Sequence, residues 1–184
     1  NDYEVEITAT DDEQNTPLST APLALTIHVN DANDAPTITN PEALTVAENQ
    51  ALVATIAVTD PDAGDSSTFS LTGGTDQALF DIDESTGELT FKAAPDFEVP
   101  ADADTSNDYE VEVTATDSME ATDATLFTVT VTDANDAPVF TSADTVNAAE
   151  NQVVVTTVAA TDADVGASLS YSLTGGADQA LLEI

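Results

Sequence analysis

Residues 31–36 read DANDAP, and residues 133–138 read DANDAP again, 102 positions later. Each copy places two carboxylates and one side-chain amide within four residues: Asp31, Asn33 and Asp34, then Asp133, Asn135 and Asp136. Two chemistries fit these residue types. Asn, Asp and Pro punctuate turns, because their side chains bond the local backbone and proline fixes φ. The same groups are hard oxygen donors, and a cation such as Ca²⁺ gathers six to eight of them from carboxylates, amides and carbonyls. The hexapeptide alone does not choose between the two.

Other acidic clusters accompany it: AEN at 47–49, DPD at 60–62, DFE at 96–98, TATD at 114–117 and DAD at 162–164. The chain has no cysteine and a single histidine, His28, so soft or nitrogen-rich metal sites are excluded. A lone histidine on a strand is a structural residue far more often than a ligand. An EF-hand loop counted from Asp60 fails, because Pro61 stands at position two, Gly64 at five and Leu71 at twelve. The glycine-rich calcium nonapeptide is absent too. Any calcium ligands here converge from separate segments.

Composition sets further bounds. Lys92 is the only basic residue among 184, against 36 acidic ones, for a formal net charge of −35. Nucleic acid and anionic membrane surfaces are excluded as partners, since both need Lys and Arg. The acids alternate with apolar residues, and 41% of the chain is hydrophobic, so a folded chain is expected rather than a disordered one. Such a chain must manage its self-repulsion. Bound divalent cations or a surface adapted to high salt would both do so. No apolar run is long enough to span a membrane, and no glycosylation acceptor occurs.

Placing the clusters requires the elements around them. The chain repeats itself. VNDANDAP (29–36), AENQ (47–50), TDPDAG (59–64) and LTGGTDQALFDI (71–82) all return 102 residues later. NDYEVEITATD (1–11) returns 106 residues later, because a loop near 12–22 is longer than its counterpart. Three parts follow: the end of one repeat at 1–34, a complete repeat at 35–136 and the start of another at 137–184. The pattern suits a stretch of a longer array; a subunit that borrows strands from its neighbours is the alternative.

Within the repeat, Tyr109, Val111, Val113 and Ala115 alternate with polar residues, as do Phe127, Val129 and Val131. Leu44 with Val46, Phe69 with Leu71 and Leu89 with Phe91 follow the same period of two. Val53, Ile56 and Val58 are less regular. Gly73-Gly74, Asp83 to Gly87 and Pro95 mark turns. About seven strands per hundred residues, with no helical period, predict an all-β fold of tandem Greek-key β-sandwiches. Sandwich loops gather at the poles, so acidic loops of successive sandwiches meet near DANDAP.

The ordered set AEN, DPD or DAD, DFE, TATD and DANDAP, together with FDIDESTGEL (80–89), resembles the cadherin repeat. The bacterial form, found in large repetitive surface adhesins and filaments, is the nearer match. Ala47 replaces the proline of the vertebrate PEN motif, and Ala137-Pro138 replaces Asn-x-Pro. The resemblance implies an extracellular rod of seven-stranded sandwiches stiffened by three Ca²⁺ ions at each junction. It assigns Glu48, Asp96, Glu98 and Asp136 to an outer ion at the later junction. A second ion would take Glu48, Glu98, Asp133, Asp136, Asp164 and the Ala134 carbonyl. A third would take Asn135, Asp162, Asp164 and the Ala137 carbonyl. At the earlier junction, Asn33, Asp60, Asp62, Asp117 and the Ala35 carbonyl would hold the third ion, and Asp31, Asp34 and Asp62 would serve the second. Asp11 and Glu150 would serve junctions outside this sequence.

The later junction then gathers seven carboxylates: Glu48, Asp96, Glu98, Asp133, Asp136, Asp162 and Asp164. Three divalent ions would offset six of these charges, whose mutual repulsion is on the order of several kcal/mol.

Paired carboxylates also run glycoside hydrolysis, but catalysis needs one asymmetric pocket rather than repeated junctions. An enzyme is not expected. A carbohydrate- or surface-binding module lacks an aromatic platform, since the tyrosines read as core. Homophilic adhesion through an exchanged Trp has no Trp to use. A self-assembling extracellular fibre remains open, so the expected partners are calcium, adjoining repeats, and further copies or a surface ligand.

Overall fold

The computed structural model describes residues 1–12 and 18–184. Part of the longer loop near 12–22 lies outside them. Among the described residues, thirteen strands and two short 3-10 turns form the regular structure.

Residues 37–132 build two facing sheets. One contains β4 (Ala43–Ala47), β11 (Thr122–Thr132), β10 (Asp108–Thr116) and β7 (Thr68–Gly73), in that order. The other contains β5 (Leu52–Thr55), β9 (Glu88–Phe91) and β8 (Phe80–Ile82). These are the seven expected strands of a β-sandwich. An extra short pair, β3 (Thr37–Ile38) with β6 (Val58–Thr59), closes one end. The irregular spacing of Val53, Ile56 and Val58 has a simple cause. β5 pairs with β9 through a register shift, and the chain then changes partner to pair β6 with β3. A segment that switches sheets cannot keep one period-two face.

β10 shows the alternation most plainly: Tyr109, Val111, Val113 and Ala115 are buried while the residues between them face outward. Phe127, Val129 and Val131 of β11 lie beside them in antiparallel register. Phe80, Phe91 and Tyr109 form an aromatic core cluster, with Phe91 edge-on to Tyr109 at 5.1 Å between centroids. Gly74 closes the β7 turn with φ +97, and a Cβ there would collide with the Glu110 carbonyl. That position needs glycine for both backbone and space.

β1 (Asp2–Ile7) and β2 (Leu23–His28) repeat the β10–β11 hairpin. Their alternation is the same, yet Tyr3, Val5 and Ile7 are exposed. Among the described residues no second sheet covers this hairpin. Tyr109 is core as expected, while Tyr3 and Tyr171 lie in the partial repeats, where the described residues include no facing sheet. Period two fixes a face; burial needs a partner sheet. His28 sits at the end of β2 with Nδ1 2.8 Å from Asp2 Oδ1. In 137–184, β12 (Val139–Phe140) and β13 (Ala160–Thr161) pair as β3 and β6 do, 102 residues earlier.

The paired positions give a direct test. Val111→Ala should lower unfolding free energy by about 2 kcal/mol, the scale of a lost buried branched side chain. Val5→Ala should change it by less than about 0.5 kcal/mol. Chemical denaturation of both variants checks this; equal effects would contradict the difference in burial.

Candidate metal centre at the repeat junctions

β4 ends at Ala47, and the next residue turns inward. Glu48 is 1% exposed, and both of its carboxylate oxygens are held. Oε2 accepts the Phe97 N–H at 2.9 Å, and Oε1 accepts the Ala134 N–H at 2.9 Å. One buried carboxylate thus ties the DFE segment and the DANDAP segment to the same strand end. Asn49 follows with φ +62 and donates from Nδ2 to Asp136 Oδ1 at 3.0 Å. Its conformation is the left-handed one that asparagine tolerates better than most residues. Asn49 belongs to the AEN motif but stands outside the expected ligand set; its own backbone conformation is invisible in sequence.

Glu98 comes from the DFE segment. A carboxylate oxygen from each of Glu48, Glu98 and Asp136 falls within 4.8 Å of the others, and so do oxygens of Glu98, Asp133 and Asp164. Glu98 joins the two groups. Across the junction, the Asp136 N–H donates to Asp164 Oδ2 at 2.9 Å. The earlier junction repeats this contact, with the Asp34 N–H on Asp62 Oδ2 at 2.7 Å. Asn33 and Asn135 each donate Nδ2 to the carbonyl of the following aspartate, at 3.1 and 2.9 Å. Asp62 and Asp164 each donate N–H to the aspartate two residues before, at 2.8 and 3.1 Å. Sequence repetition has become geometric repetition.

At the earlier junction, oxygens of Asp60, Asp65 and Asp117 converge within 4.8 Å. Asp117 is buried, accepting N–H from Met119 and Ala121 and Nδ2 of Asn33 at 2.8 Å. The Asn33 bond is the main reason its carboxyl lies below the usual range. Asp65 was not expected, since it falls outside the DPD motif; the loop turning at Gly64 brings it in. Asp31, Asn33, Asp62 and Asp65 also line an open groove of about 380 Å³.

Not every expected residue joins a carboxylate triad. Asp31, Asp34, Asp62, Asp96 and Asp162 contribute no oxygen to the three groups. Asp96 instead accepts the Val99 N–H at 2.9 Å in its own turn. The backbone carbonyl donors, Ala35, Ala134 and Ala137, lie in the same two linkers.

Charge in these groups is not balanced by side chains. Lys92, the only basic side chain, donates to the Ala78 carbonyl at 2.8 Å and lies 3.8 Å from Asp81. Burial pushes the Glu98 carboxyl up, and the charges of Glu48, Asp133 and Asp136 push it further. Asp133 is raised first by burial, then by Asp164 and Glu48. Buried Asp60 Oδ2 and Glu98 Oε2 lack any hydrogen-bond partner. Orphaned, buried carboxylate oxygens in an all-oxygen cluster are what a hard divalent cation satisfies and what a soft metal does not. The residues present fit Ca²⁺.

Residues 42–132 match the cadherin domain family. The chain is 31% identical over 179 residues to Protocadherin Fat 4 of Mus musculus, which covers 88% of this chain and 4% of that protein. Among solved structures it is similar to Protocadherin Gamma B2 extracellular cadherin domains 3-6, with 26% identity, 90% of this chain, 43% of that chain and a TM-score of 0.56. It is also similar to human CDH23 EC21-23, with 25% identity, 96% of this chain, 63% of that chain and a TM-score of 0.56. The chain thus spans a small part of its curated relative and less than two thirds of either structure.

The sign of the Glu98 shift makes a prediction. A carboxyl raised in the folded state penalises folding at neutral pH, and the penalty disappears as pH falls through its folded-state pKa. Glu98→Gln should therefore raise the melting temperature in chelator at neutral pH, and the gain should shrink on acidification. Paired thermal melts measure this; a lower melting temperature in chelator at neutral pH would contradict it.

Proposed function

We propose, taking residues 42–132 as a cadherin domain, that this chain is a calcium-stiffened spacer of an extracellular repeat array. The observation that carries the reading is Glu48. Its buried carboxylate holds the DFE and DANDAP segments together, and it belongs to a carboxylate triad with Glu98 and Asp136. A charge so placed is stabilised only by strong compensating partners.

The repeats divide at 1–34, 35–136 and 137–184. In this reading Glu48, Glu98, Asp133, Asp136 and Asp164 hold Ca²⁺ at the later junction, with Asp96, Asn135, Asp162 and the carbonyls of Ala134 and Ala137 completing three ions. Asn33, Asp60, Asp62, Asp117 and the Ala35 carbonyl do so at the earlier one, beside Asp31 and Asp34. Calcium supplies positive charge and directional coordination there; the chain supplies the anchoring of each donor to a strand end. Asp136 and Asp34 add to that positioning, because their backbone N–H groups bond Asp164 and Asp62 across the linkers. The consequence is mechanical: the angle between sandwiches is fixed when the donors are drawn together, and loosened when they repel.

The parent array is read as a bacterial surface adhesin or filament, on the motif spelling AEN and DANDAP. No described helix is long and apolar enough to cross a membrane, which leaves β-barrel spans unaddressed. A second reading is self-assembly into an extracellular fibre. Sedimentation with and without calcium separates the two.

Calcium titration calorimetry tests the main reading. Asp136→Ala should weaken calcium binding about tenfold or more, from the range of roughly 10⁻⁴ to 10⁻³ M typical of extracellular modules. Its far-UV circular dichroism should stay that of the parent. Unchanged calcium binding in a folded Asp136→Ala protein would overturn the assignment.

A further inference from the structure

A second acidic loop lies outside the junction triads. Residues 101–108 read ADADTSND, between the DFE segment and β10. Asp102 is 6% exposed and Asn107 is 9% exposed. Asp102 uses one oxygen, Oδ2, to accept the Ser106 N–H at 2.7 Å and the Ser106 hydroxyl at 3.2 Å. Its other oxygen, Oδ1, is buried and has no partner. Asn107 is in the same position: Nδ2 donates to the Phe97 carbonyl at 2.9 Å, while its buried Oδ1 has no donor. Two orphaned acceptors thus lie on nine-tenths-buried side chains of one short loop.

The surroundings are anionic. The Asp104 carboxylate is within hydrogen-bonding reach of Asp102. Buried Asp76 lies on the other side, with Oδ1 on the Ala103 N–H and Oδ2 on the Glu110 N–H, both at 2.9 Å. The Tyr109 hydroxyl accepts the Ala101 N–H at 3.1 Å, and the charges of Asp102 and Asp76 add to burial in raising its pKa. No cationic side chain faces this group among the described residues: Lys92 is engaged by Ala78 and Asp81, and His28 by Asp2.

The first half of the loop carries the donor order of an oxygen-ligand loop. Calcium loops of the EF-hand type place donors at positions one, three and five and a sharp turn at six. Counted from Asp102, those positions are Asp104, Ser106 and Asn107, and Asn107 has φ +67. The loop departs from that pattern at six, where Asn replaces Gly, and at twelve, where Val113 replaces an acid. It has fewer protein ligands and would leave several positions to water.

We propose that residues 102–107 form a further site for a hard divalent cation, within the sandwich and separate from the junctions, held by Asp102 Oδ1, Asp104 and Asn107 Oδ1. The site would pin the stretch between the DFE segment and β10, to which Asn107 is already tied through the Phe97 carbonyl.

Carbon-detected NMR of the full chain, titrated with CaCl₂, tests it. The side-chain carboxyl carbons of Asp102 and Asp104 and the amides of 102–108 should follow one saturable curve. Asp104→Asn should lose that curve; Asp104 is exposed, so the core is untouched. Asp136→Asn should keep it, which separates this site from the junction reading. Asp102 and Asp104 carbons that stay unmoved at millimolar calcium while the protein remains folded would overturn the proposal. So would a curve that disappears in Asp136→Asn and persists in Asp104→Asn.

Discussion

A carboxylate at the end of β4 governs the junction. Glu48 is buried, and its two oxygens receive backbone N–H groups from two separate segments, Phe97 and Ala134. A buried ion is tolerated only when its lone pairs are bonded and its charge is compensated. The two hydrogen bonds meet the first requirement and fix where the DFE and DANDAP segments lie. The second is made harder by Glu98, Asp133 and Asp136, whose charges add to the local field. The sandwich core, the turn at Asn49 and the linker geometry all serve to keep these like charges close. A fold that holds repelling groups together at the end of a rigid sheet has stored a demand for positive charge.

That demand recurs along the chain because the contacts recur. The linker N–H that clamps Asp62 is matched by the one that clamps Asp164. Left-handed backbone at Asn49 and Asn151, and at Gly64 and Gly166, also returns with the repeat. The complete repeat and the two partial ones differ in burial among the described residues. Glu150 is exposed, whereas its counterpart Glu48 is buried. Val5 and Val111 share a motif and a strand position; among the described residues a facing sheet covers Val111 and none covers Val5.

Much of this was legible in the residues. The period-two face of 109–115 gave the central strand, and the order of the acidic motifs gave the pole where they meet. What was hidden followed from facts that spacing does not carry. Asp65 joins Asp60 and Asp117 because of a turn at Gly64, not because of a motif. Asp96 sits inside DFE yet closes its own turn. The irregular 53–58 segment concealed a change of sheet partner. The loop at 102–107 matches no calcium-loop spacing in full, and what marks it is a pair of unpartnered buried oxygens, visible only once burial is known. Exposure of Tyr3 has the same origin: sequence fixes which side of a strand is apolar, and tertiary context decides whether anything covers it.

The proposed role of calcium at the junctions is to set the angle between sandwiches without being needed to fold them. Small-angle X-ray scattering of the chain, in millimolar calcium and then in excess chelator, tests this most directly. The expected result is a longer maximum dimension with calcium and a shorter, broader distance distribution in chelator. Scattering profiles that superimpose in the two conditions would contradict it.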